Sequence, residues 1–268
     1  LFSFHLERQV HAAWRPYTDR RHRRWMREAA LAGAITPAML GYVRRTYGLD
    51  GDVVMVGFDP DDRPVMSPRR GARMRLAYTG SIYPGDQRPD LLFEALERLH
   101  ADGVNPPIEV VFAGTGRDTE LRTMLERFPH AARVCEFIER VAPEDALRLQ
   151  CEADALVLFH YTSPSPDEGT LSFPAKAFEY LNAGRPVIAL PRDPGGWGDA
   201  LLGTTRAGVT ADSAAAAAAV LNEWLALWRG QGTLPYSADT GEIMRYSVAR
   251  QAETLASLFE RAVRRTAR

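Results

Sequence analysis

The chain has 268 residues, 46% of them hydrophobic and 25% charged, a balance typical of a folded globular protein rather than a disordered one. A net charge of −1 gives no overall positive field, so we expect no general affinity for nucleic acid. The two cysteines, Cys135 and Cys151, lack metal-ligand spacing and lie in apolar segments, which excludes a disulfide framework and predicts reduced core thiols in a cytoplasmic protein.

The first part of the chain has too few strand patterns for a complete α/β domain. A helical pattern covers Thr18–Ala32, Ala34 and Ile35 suggest a short strand, and Thr36 caps a helix that runs to Tyr47 and ends at Gly48. A second strand pattern follows at 53–56. The start at Leu1 is unlike an initiator or a signal peptide, and we expect a longer protein upstream.

Arginine is concentrated on the first predicted helix. A solvated or interdomain helix face is the commoner meaning of such a pattern, with a nucleic-acid patch or peripheral contact with a membrane surface as the alternatives. The arginines are Arg20, Arg21, Arg23, Arg24 and Arg27.

A connecting segment at 59–73 holds three prolines, four arginines and three aspartates without periodicity, which predicts an exposed interdomain linker. We therefore expect an incomplete N-terminal unit over 1–58, this linker and a main domain over 74–240.

Six strand patterns alternate with helical patterns after the linker, which predicts an α/β fold with a doubly wound parallel sheet in the order 3-2-1-4-5-6. The strands are Leu76–Thr79, Ile108–Ala113, Val134–Ile138, Ala155–Phe159, Pro186–Leu190 and Ala207–Thr210. The helices are Asp90–Asp102, Thr119–Arg127, Pro143–Cys151, one that Ser172 caps with Pro174 near its first turn and that Gly184 ends, a short one near Asp199, and Ser213–Trp228.

The helix that begins near Lys176 carries the most informative pattern. Among 33 basic residues Lys176 is the only lysine, and Glu179 follows one turn later. Either the compact ammonium of Lys176 and the carboxylate of Glu179 bind a ligand, or the two residues form an ordinary surface ion pair. On the helix periodicity, Tyr180 shares the polar face with them, while an apolar face (Ala175, Phe178, Leu181, Asn182) turns to the sheet.

Ligands of such sheets bind at the carboxyl ends of the strands, near the switch point between the first and fourth strands. Three loops meet there: 80–89, 114–117 and 160–172. The last loop leads to a helix start, where free N–H groups and the helix dipole favour an anion. The chain lacks the dinucleotide fingerprint, a Walker A loop and any metal-ligand spacing.

The segment Gly169-Thr-Leu-Ser-Phe-Pro-Ala-Lys-Ala-Phe-Glu-Tyr-Leu-Asn-Ala-Gly-Arg-Pro-Val-Ile-Ala189 resembles the donor-site signature of GT-B glycosyltransferases of the family-4-like group. Tyr78-Thr-Gly-Ser-Ile-Tyr83 resembles that family's first glycine loop, and Phe112-Ala-Gly-Thr-Gly116 its second strand and turn. The resemblance implies a Rossmann-like C-terminal domain that binds a nucleotide-diphosphate-sugar, preceded by the end of an acceptor-binding N-terminal domain. The closing helix within 241–268, from Glu242 to about Arg264, resembles the one that crosses back onto that N-terminal domain.

The resemblance also implies the roles of single residues. Glu179 matches the glutamate that accepts hydrogen bonds from the ribose, Lys176 would meet the diphosphate, and Arg88 could add charge to the leaving diphosphate. Lys176 and Arg88 are therefore the catalytic candidates. The remaining donor-binding candidates are Gly80, Ser81, Gln87, Gly114, Gly116, Glu168, Gly169, Thr170, Leu171 and Ser172.

Two positions depart from the family pattern. The glutamate usual eight positions before Glu179 is Leu171, so Glu168 matches only with a gap, and the basic residue usual in the first loop is Gln87, next to Arg88. The sugar and the base of the donor are therefore open.

The expected activity is transfer of a sugar from a nucleotide donor to an unknown acceptor, with retention and without a metal or other cofactor. The alternatives are a nucleotide-sugar-binding module without turnover and a sugar-nucleotide epimerase of the same fold. We expect no nucleic acid partner, a cytoplasmic or peripheral-membrane location, and self-association through the incomplete N-terminal segment as a further option.

Overall fold

The computed structural model describes residues 12–66, 71–83, 85–101, 106–116, 118–162, 174–193 and 196–266. These residues form two parallel sheets and the helices around them. The strands are β1 (Ala32–Ala34), β2 (Gly51–Val53), β3 (Met74–Thr79), β4 (Ile108–Ala113), β5 (Cys135–Ile138), β6 (Ala155–Phe159), β7 (Val187–Leu190) and β8 (Gly208–Thr210).

The helices alternate with the strands over most of the larger sheet, and short 3-10 turns lie at Ala12–Trp14 and Pro60–Asp62. They are α1 (Arg15–Glu28), α2 (Pro37–Tyr47), α3 (Asp90–Ala101), α4 (Thr119–Leu125), α5 (Ala131–Val134), α6 (Pro143–Glu152), α7 (Lys176–Ala183), α8 (Trp197–Thr205), α9 (Ala214–Gln231), α10 (Thr240–Met244) and α11 (Val248–Thr266). Within the described ranges, no helix combines the length and the apolar character that crossing a bilayer requires.

The larger sheet has the order β5-β4-β3-β6-β7-β8, and all of its strands are parallel. Counted along the chain from β3, this is the predicted order 3-2-1-4-5-6, so the predicted fold class is confirmed. The topology reverses between β3 and β6, where Leu76 lies beside Ala155 and Ala77 beside Leu156. The carboxyl ends of these two strands flank a crevice of the kind that binds ligands in open α/β sheets.

Both faces of the larger sheet are buried, which explains the continuous apolar runs of its central strands. On β6, Val157 and Phe159 pack with α3 and α9, whereas Leu156 and Leu158 pack with α7 and α8 on the other face. All four side chains are completely buried. Alternate residues of one strand therefore supply two separate cores.

Several helix ends follow the local signals of the sequence. Thr36 caps α2 by accepting a hydrogen bond from the Met39 backbone N–H at 3.1 Å, and Ser213 caps α9 in the same way. Gly48 and Gly184 end α2 and α7 with left-handed backbone angles, φ +65° and +68°. These boundaries agree with the predicted ones because capping depends on residues within about one turn of the chain. The predicted cap of α7 is wrong: the helix begins at Lys176 with Ala175 at its N-cap position, and Ser172 lies outside the described residues.

The residues before the larger sheet form a smaller unit of β1, β2, α1 and α2. Helix α11 is attached to this unit: the Arg261 guanidinium lies 2.7 Å from the Asp52 carboxylate, and the Gln251 side chain accepts a hydrogen bond from the Met55 backbone N–H at 2.8 Å. Helix α1 buries none of its residues, and its arginines face solvent. The predicted limits of the domains and of the linker remain predictions.

The closing helix differs from the predicted single segment starting at Glu242. The chain breaks between α10 and α11 because Phe58 pairs with the backbone there. The Phe58 N–H donates to the Tyr246 carbonyl oxygen at 3.2 Å, and the Val248 N–H donates to the Phe58 carbonyl oxygen at 2.8 Å. These bonds occupy backbone groups that a continuous helix would use for its own hydrogen bonds. Phe58 is far from Ser247 in the sequence, so the local sequence around Ser247 carries no signal that the helix breaks there.

Candidate functional site

A cleft of about 580 Å³ opens where β3 ends. Thr79 and Gly80 form its floor, and Lys176 and Glu179 of α7 project from one side. The apolar side chains of Pro143, Ala146 and Leu147 at the start of α6 form a second wall, and residues 56–59 and Asp62 also line the cleft. The cleft thus combines an apolar wall with one cationic side chain, Lys176, and three carboxylates, Asp59, Asp62 and Glu179, an arrangement suited to a small polar ligand.

Lys176, the first residue of α7, turns its ammonium toward the end of β3. Its Nζ donates a short hydrogen bond to the Tyr78 hydroxyl oxygen and a longer one, 3.3 Å, to the Ser81 carbonyl oxygen. The same atom lies 3.9 Å from the centre of the Tyr78 ring, within the range of a cation–π contact. Lys176 is therefore held against the first glycine loop by contacts with Tyr78 and Ser81.

Gly80 makes this position of Lys176 possible. Its φ of +106° is a conformation that side-chain-bearing residues rarely adopt, and a Cβ at this position would lie 3.1 Å from the Lys176 Nζ. Gly114 also has a positive φ, +95°, and a Cβ there would lie 3.3 Å from the Gly80 backbone. The two glycine turns thus touch each other, as predicted from their positions at the carboxyl ends of neighbouring strands.

Burial lowers the pKa of Lys176 from its ordinary value to about 7, and the carboxylate of Glu179 offsets only part of this shift. At neutral pH the amine is divided between its charged and neutral forms. An anionic ligand beside Nζ would favour the charged form, so ligand binding and proton uptake are coupled at this residue.

Glu179 lies one turn after Lys176 and exposes its carboxylate to the cleft. One carboxylate oxygen, Oε2, accepts a hydrogen bond from Nε2 of the buried Gln150 at 3.1 Å. The same Nε2 atom lies 2.9 Å from the Thr79 hydroxyl oxygen. Gln150 therefore binds one oxygen of the carboxylate, and the carboxylate also lines the cleft.

Tyr180 does not share the polar face predicted for it. Its side chain is completely buried, and its hydroxyl oxygen accepts a hydrogen bond from the Thr79 backbone N–H at 2.9 Å. Ala175, predicted to face the sheet, is exposed, whereas Ala177 is buried. Phe178, Leu181 and Asn182 are buried as predicted, so the buried face of the helix is wider than predicted rather than turned. Tyr180 joins this face because the end of β3 supplies a partner for its hydroxyl, which lets an amphipathic ring enter the core.

The other candidates of the first loop have partners within the protein. The Arg88 guanidinium pairs with both oxygens of the Asp90 carboxylate, at distances from 2.7 to 3.1 Å. Gln87 is buried: its oxygen accepts from the Tyr83 N–H at 3.0 Å, and its nitrogen donates to the Phe159 carbonyl oxygen at 2.9 Å. Gln87 thus fastens the loop to β6, and Ser81 contributes its carbonyl oxygen to Lys176.

Gly116 is set apart from the cleft residues by its close packing against the end of β5. A Cβ on Gly116 would lie 2.6 Å from the Glu139 backbone nitrogen, so only glycine fits. The candidates Glu168, Gly169, Thr170, Leu171 and Ser172 lie outside the described residues. In the parts of the chain that the structure describes, no group of three or more histidine, cysteine, aspartate or glutamate side chains could hold a metal ion.

Sequence reasoning missed Tyr78, Thr79 and Gln150 as parts of the site. Tyr78 and Thr79 belong to an apolar strand pattern, in which an aromatic or β-branched residue indicates only strand formation. Gln150 is a single polar residue near the end of an amphipathic helix, where polar residues are expected. Their roles depend on the packing of β3, α6 and α7, and no local pattern distinguishes them.

Comparison with protein families gives one match over most of the larger sheet. The model of the family described as group 1 glycosyl transferases matches residues 73–226, which is more than half of the chain. No curated protein matches the chain by sequence.

Several solved structures share the fold at low sequence identity. HepE from Anabaena, solved in complex with UDP, is 20% identical over 86% of this chain with a TM-score of 0.62. AviGT4, a glycosyltransferase involved in avilamycin A biosynthesis, is 18% identical over 85% with a TM-score of 0.55. A sucrose-phosphate synthase from Thermosynechococcus elongatus is 16% identical over 89% with a TM-score of 0.59. The present chain spans 64%, 63% and 60% of those three chains, respectively.

Proposed function

Because the chain belongs to the group 1 glycosyl transferases, we propose that it forms the donor-binding part of an enzyme that transfers a sugar from a nucleotide-diphosphate-sugar to an acceptor. The observation that carries this proposal is the cleft at the end of β3, where the Lys176 ammonium and the Glu179 carboxylate stand one helical turn apart beside Gly80. A donor of this class carries a diphosphate and a ribose that match these two groups.

Lys176 binds the diphosphate in this proposal and stabilises the negative charge that develops on it as the sugar leaves. Its ammonium is already held at the turn where the Gly80 backbone permits close approach. Arg88 would have to exchange its carboxylate partner Asp90 for the diphosphate, so we assign the main electrostatic role to Lys176 and a secondary one to Arg88.

Glu179 accepts hydrogen bonds from the ribose hydroxyls. An ionised carboxylate is suited to this task because each of its oxygens accepts hydrogen bonds and none donates. The apolar wall at the start of α6 adjoins Glu179 and gives the less polar parts of the nucleoside a surface to pack on. We further propose that the sugar is transferred with retention of its anomeric configuration, that the reaction needs no metal, and that the protein acts in the cytoplasm.

The first test is nucleotide binding by this chain. Thermal unfolding is followed with UDP, GDP, dTDP and ADP, with UDP first because the similar HepE was solved with it. A nucleotide present at 100 times its dissociation constant should stabilise the protein by about 2.7 kcal/mol. Lack of stabilisation by all four would contradict a donor site in the cleft.

Variants of the two charged residues connect binding to the cleft. Lys176→Ala should weaken binding of the diphosphate and of the sugar nucleotide but spare the nucleoside, which has no phosphate. Glu179→Ala should weaken all three, and each loss should be about ten- to a hundredfold because a charge-assisted hydrogen bond contributes about 1.5–3 kcal/mol. Equal nucleoside binding by the wild type and Glu179→Ala would exclude the ribose assignment.

Transfer is measured with the full-length gene product as acceptor-dependent release of the nucleoside diphosphate. Donor binding without release across a panel of acceptors would favour a binding module without turnover, and a changed sugar nucleotide without acceptor would favour an epimerase. The anomeric configuration of the product, read by NMR, and activity in the presence of EDTA test retention and metal independence.

A further inference from the structure

Gln150 is a completely buried amide in the last turn of α6 that reaches two other elements. Its Nε2 donates to the Thr79 hydroxyl oxygen at 2.9 Å and to Oε2 of Glu179 at 3.1 Å. Thr79 is the last residue of β3, and Glu179 belongs to the first turn of α7. One amide group thus connects α6, the end of the central strand and the carboxylate of the cleft.

The carboxylate determines which way this amide points. If the amide were turned over, its oxygen would face the Glu179 carboxylate, and two acceptor groups would repel each other. The observed orientation instead directs Nε2 of Gln150 to the Thr79 hydroxyl oxygen and to Oε2 of Glu179. Oε1 of Gln150 is buried and accepts no hydrogen bond from the residues that the structure describes. The amide is therefore used as a donor to Thr79 and Glu179.

We infer that Gln150 is a positioning residue for Glu179, and through it for the ribose of the donor; this inference rests on the proposed function. The hydrogen bond from Gln150 to Oε2 of Glu179 restrains rotation of the carboxylate and leaves Oε1 of Glu179 to the ligand. A carboxylate that is oriented before binding loses less conformational freedom when the ribose arrives, which increases affinity.

A purely structural role is the competing explanation. Gln150 could matter only because it ties α6 to β3 through Thr79, in which case its loss would lower stability and leave ribose recognition unchanged. The two roles differ in one measurable respect, since only positioning of Glu179 makes the effect of Gln150 depend on the ribose hydroxyls of the ligand.

The experiment compares binding of UDP, GDP and ADP with binding of their 2′,3′-dideoxy forms by calorimetry. Gln150→Met preserves the approximate shape of the side chain and removes its donors, and it is measured in the wild type and in Glu179→Ala. Thr205→Val is the matched control: this buried side chain donates to the Leu201 carbonyl oxygen at 2.7 Å in α8, so its loss removes a buried hydrogen bond elsewhere.

Gln150→Met should weaken binding of the ribonucleotide about fivefold, the loss expected for about one net hydrogen bond. It should leave the dideoxy form unaffected and add nothing in the Glu179→Ala background, and Thr205→Val should bind both ligands as the wild type does. Equal losses for both ligands, additive losses in the double variant, or an unchanged affinity of folded Gln150→Met would overturn the inference.

Failure of the proposed function gives a different result. If Glu179→Ala binds the ribonucleotide as tightly as the wild type does, the ribose assignment is wrong and the inference falls with it. If Glu179→Ala loses affinity but Gln150→Met does not, the inference alone is wrong. Should Gln150→Met not fold, Gln150→Asn serves instead, because it retains the amide but withdraws it from Glu179 by one methylene, and it should show the same selective loss.

Discussion

At the scale of single residues, the environment of Lys176 decides what this lysine can do. Tyr78 holds the ammonium by its hydroxyl and its ring, and the Tyr78 hydroxyl itself donates to the Ser81 carbonyl oxygen at 2.7 Å. Burial lowers the lysine pKa to about 7. The residue is therefore placed to change its charge within the physiological range, which makes its titration an observable of the site.

Affinity for a sugar nucleotide should fall as the pH rises through the pKa of Lys176. The charged amine binds the diphosphate, so the dissociation constant should rise about tenfold between pH 6 and pH 8, and Lys176→Met should remove this dependence. The measurement is calorimetric titration at both pH values. Because Lys176 is the only lysine of the chain, selective ¹³Cε labelling gives its titration directly by NMR.

The same lowered pKa affects the stability of the free protein. In the unfolded chain the lysine is protonated below its ordinary pKa of 10.5, whereas in the folded protein it is protonated only below about pH 7. Stability should therefore decrease as the pH falls from 10.5 toward 7 and then stay level as far as this residue is concerned. A lysine signal that titrates near 10.5, or an affinity independent of pH, would contradict this account of the residue.

Gly80→Ala should weaken nucleotide binding in addition to lowering stability. The positive φ of Gly80 costs an alanine at least about 1 kcal/mol, and the added Cβ would displace the Lys176 ammonium. Gly85→Ala is the matched control, because Gly85 lies in the same loop with φ +86° but has no atom within 4 Å of the added Cβ. Both variants should lose stability in chemical denaturation, and equal affinities would show that the Gly80–Lys176 contact does not matter for binding.

At the scale of elements, the site depends on how the turns after β3, β4 and β5 pack against one another. Gly114 lies against Gly80, and Gly116 lies against the backbone of residues 138 and 139. Two hydrogen bonds reinforce this arrangement: the Gly80 N–H donates to the Ala113 carbonyl oxygen at 2.8 Å, and the Gly116 N–H donates to the Ile138 carbonyl oxygen at 2.9 Å. The first glycine loop is thus supported by two neighbouring strands.

Gly116→Ala should destabilise the protein by about 2 kcal/mol or more, because the added Cβ meets backbone atoms that cannot move without shifting β5. Gly203→Ala in α8 provides the comparison, since its added Cβ has no neighbour within 4 Å. That substitution should be neutral or stabilise by up to about 1 kcal/mol through helix propensity. Urea denaturation of both variants measures the difference, and similar values would refute the proposed packing constraint.

At the scale of the whole molecule, the larger sheet and the smaller N-terminal unit are unequal in their cores. The larger sheet is buried between two extensive clusters, whereas the smaller unit has a cluster centred on Ala34, Met39 and Leu40. Exposed aromatic residues accompany the small core, with Trp14 at 62% and Trp25 at 52% exposure. Burial of apolar surface is the main source of stability, so the two parts should differ in local stability.

Hydrogen exchange should therefore be fast for the amides of β1, β2 and α1 and slow for those of β3 and β6. Mass spectrometry of proteolytic peptides measures the exchange of each region separately. Repeating the measurement at several low denaturant concentrations separates exchange through local opening from exchange through global unfolding. Protection of equal strength in both parts of a demonstrated monomer would mean that they unfold as one cooperative unit and that the boundary predicted near residue 59 is misplaced.

The sequence alone determined the fold class, because alternating apolar strand and helix patterns require a parallel sheet with helices on both faces, and helix caps such as Thr36 and Gly184 act within about one turn of the chain. The motif around Lys176 and Glu179 also indicated the family, which is confirmed. Only the tertiary structure decided which side chains meet. Tyr180 turned inward to Thr79, Phe58 divided the closing helix, Arg88 paired with Asp90, and Gln150 reached Glu179, since each of these contacts depends on packing between elements and on partners that no local pattern specifies.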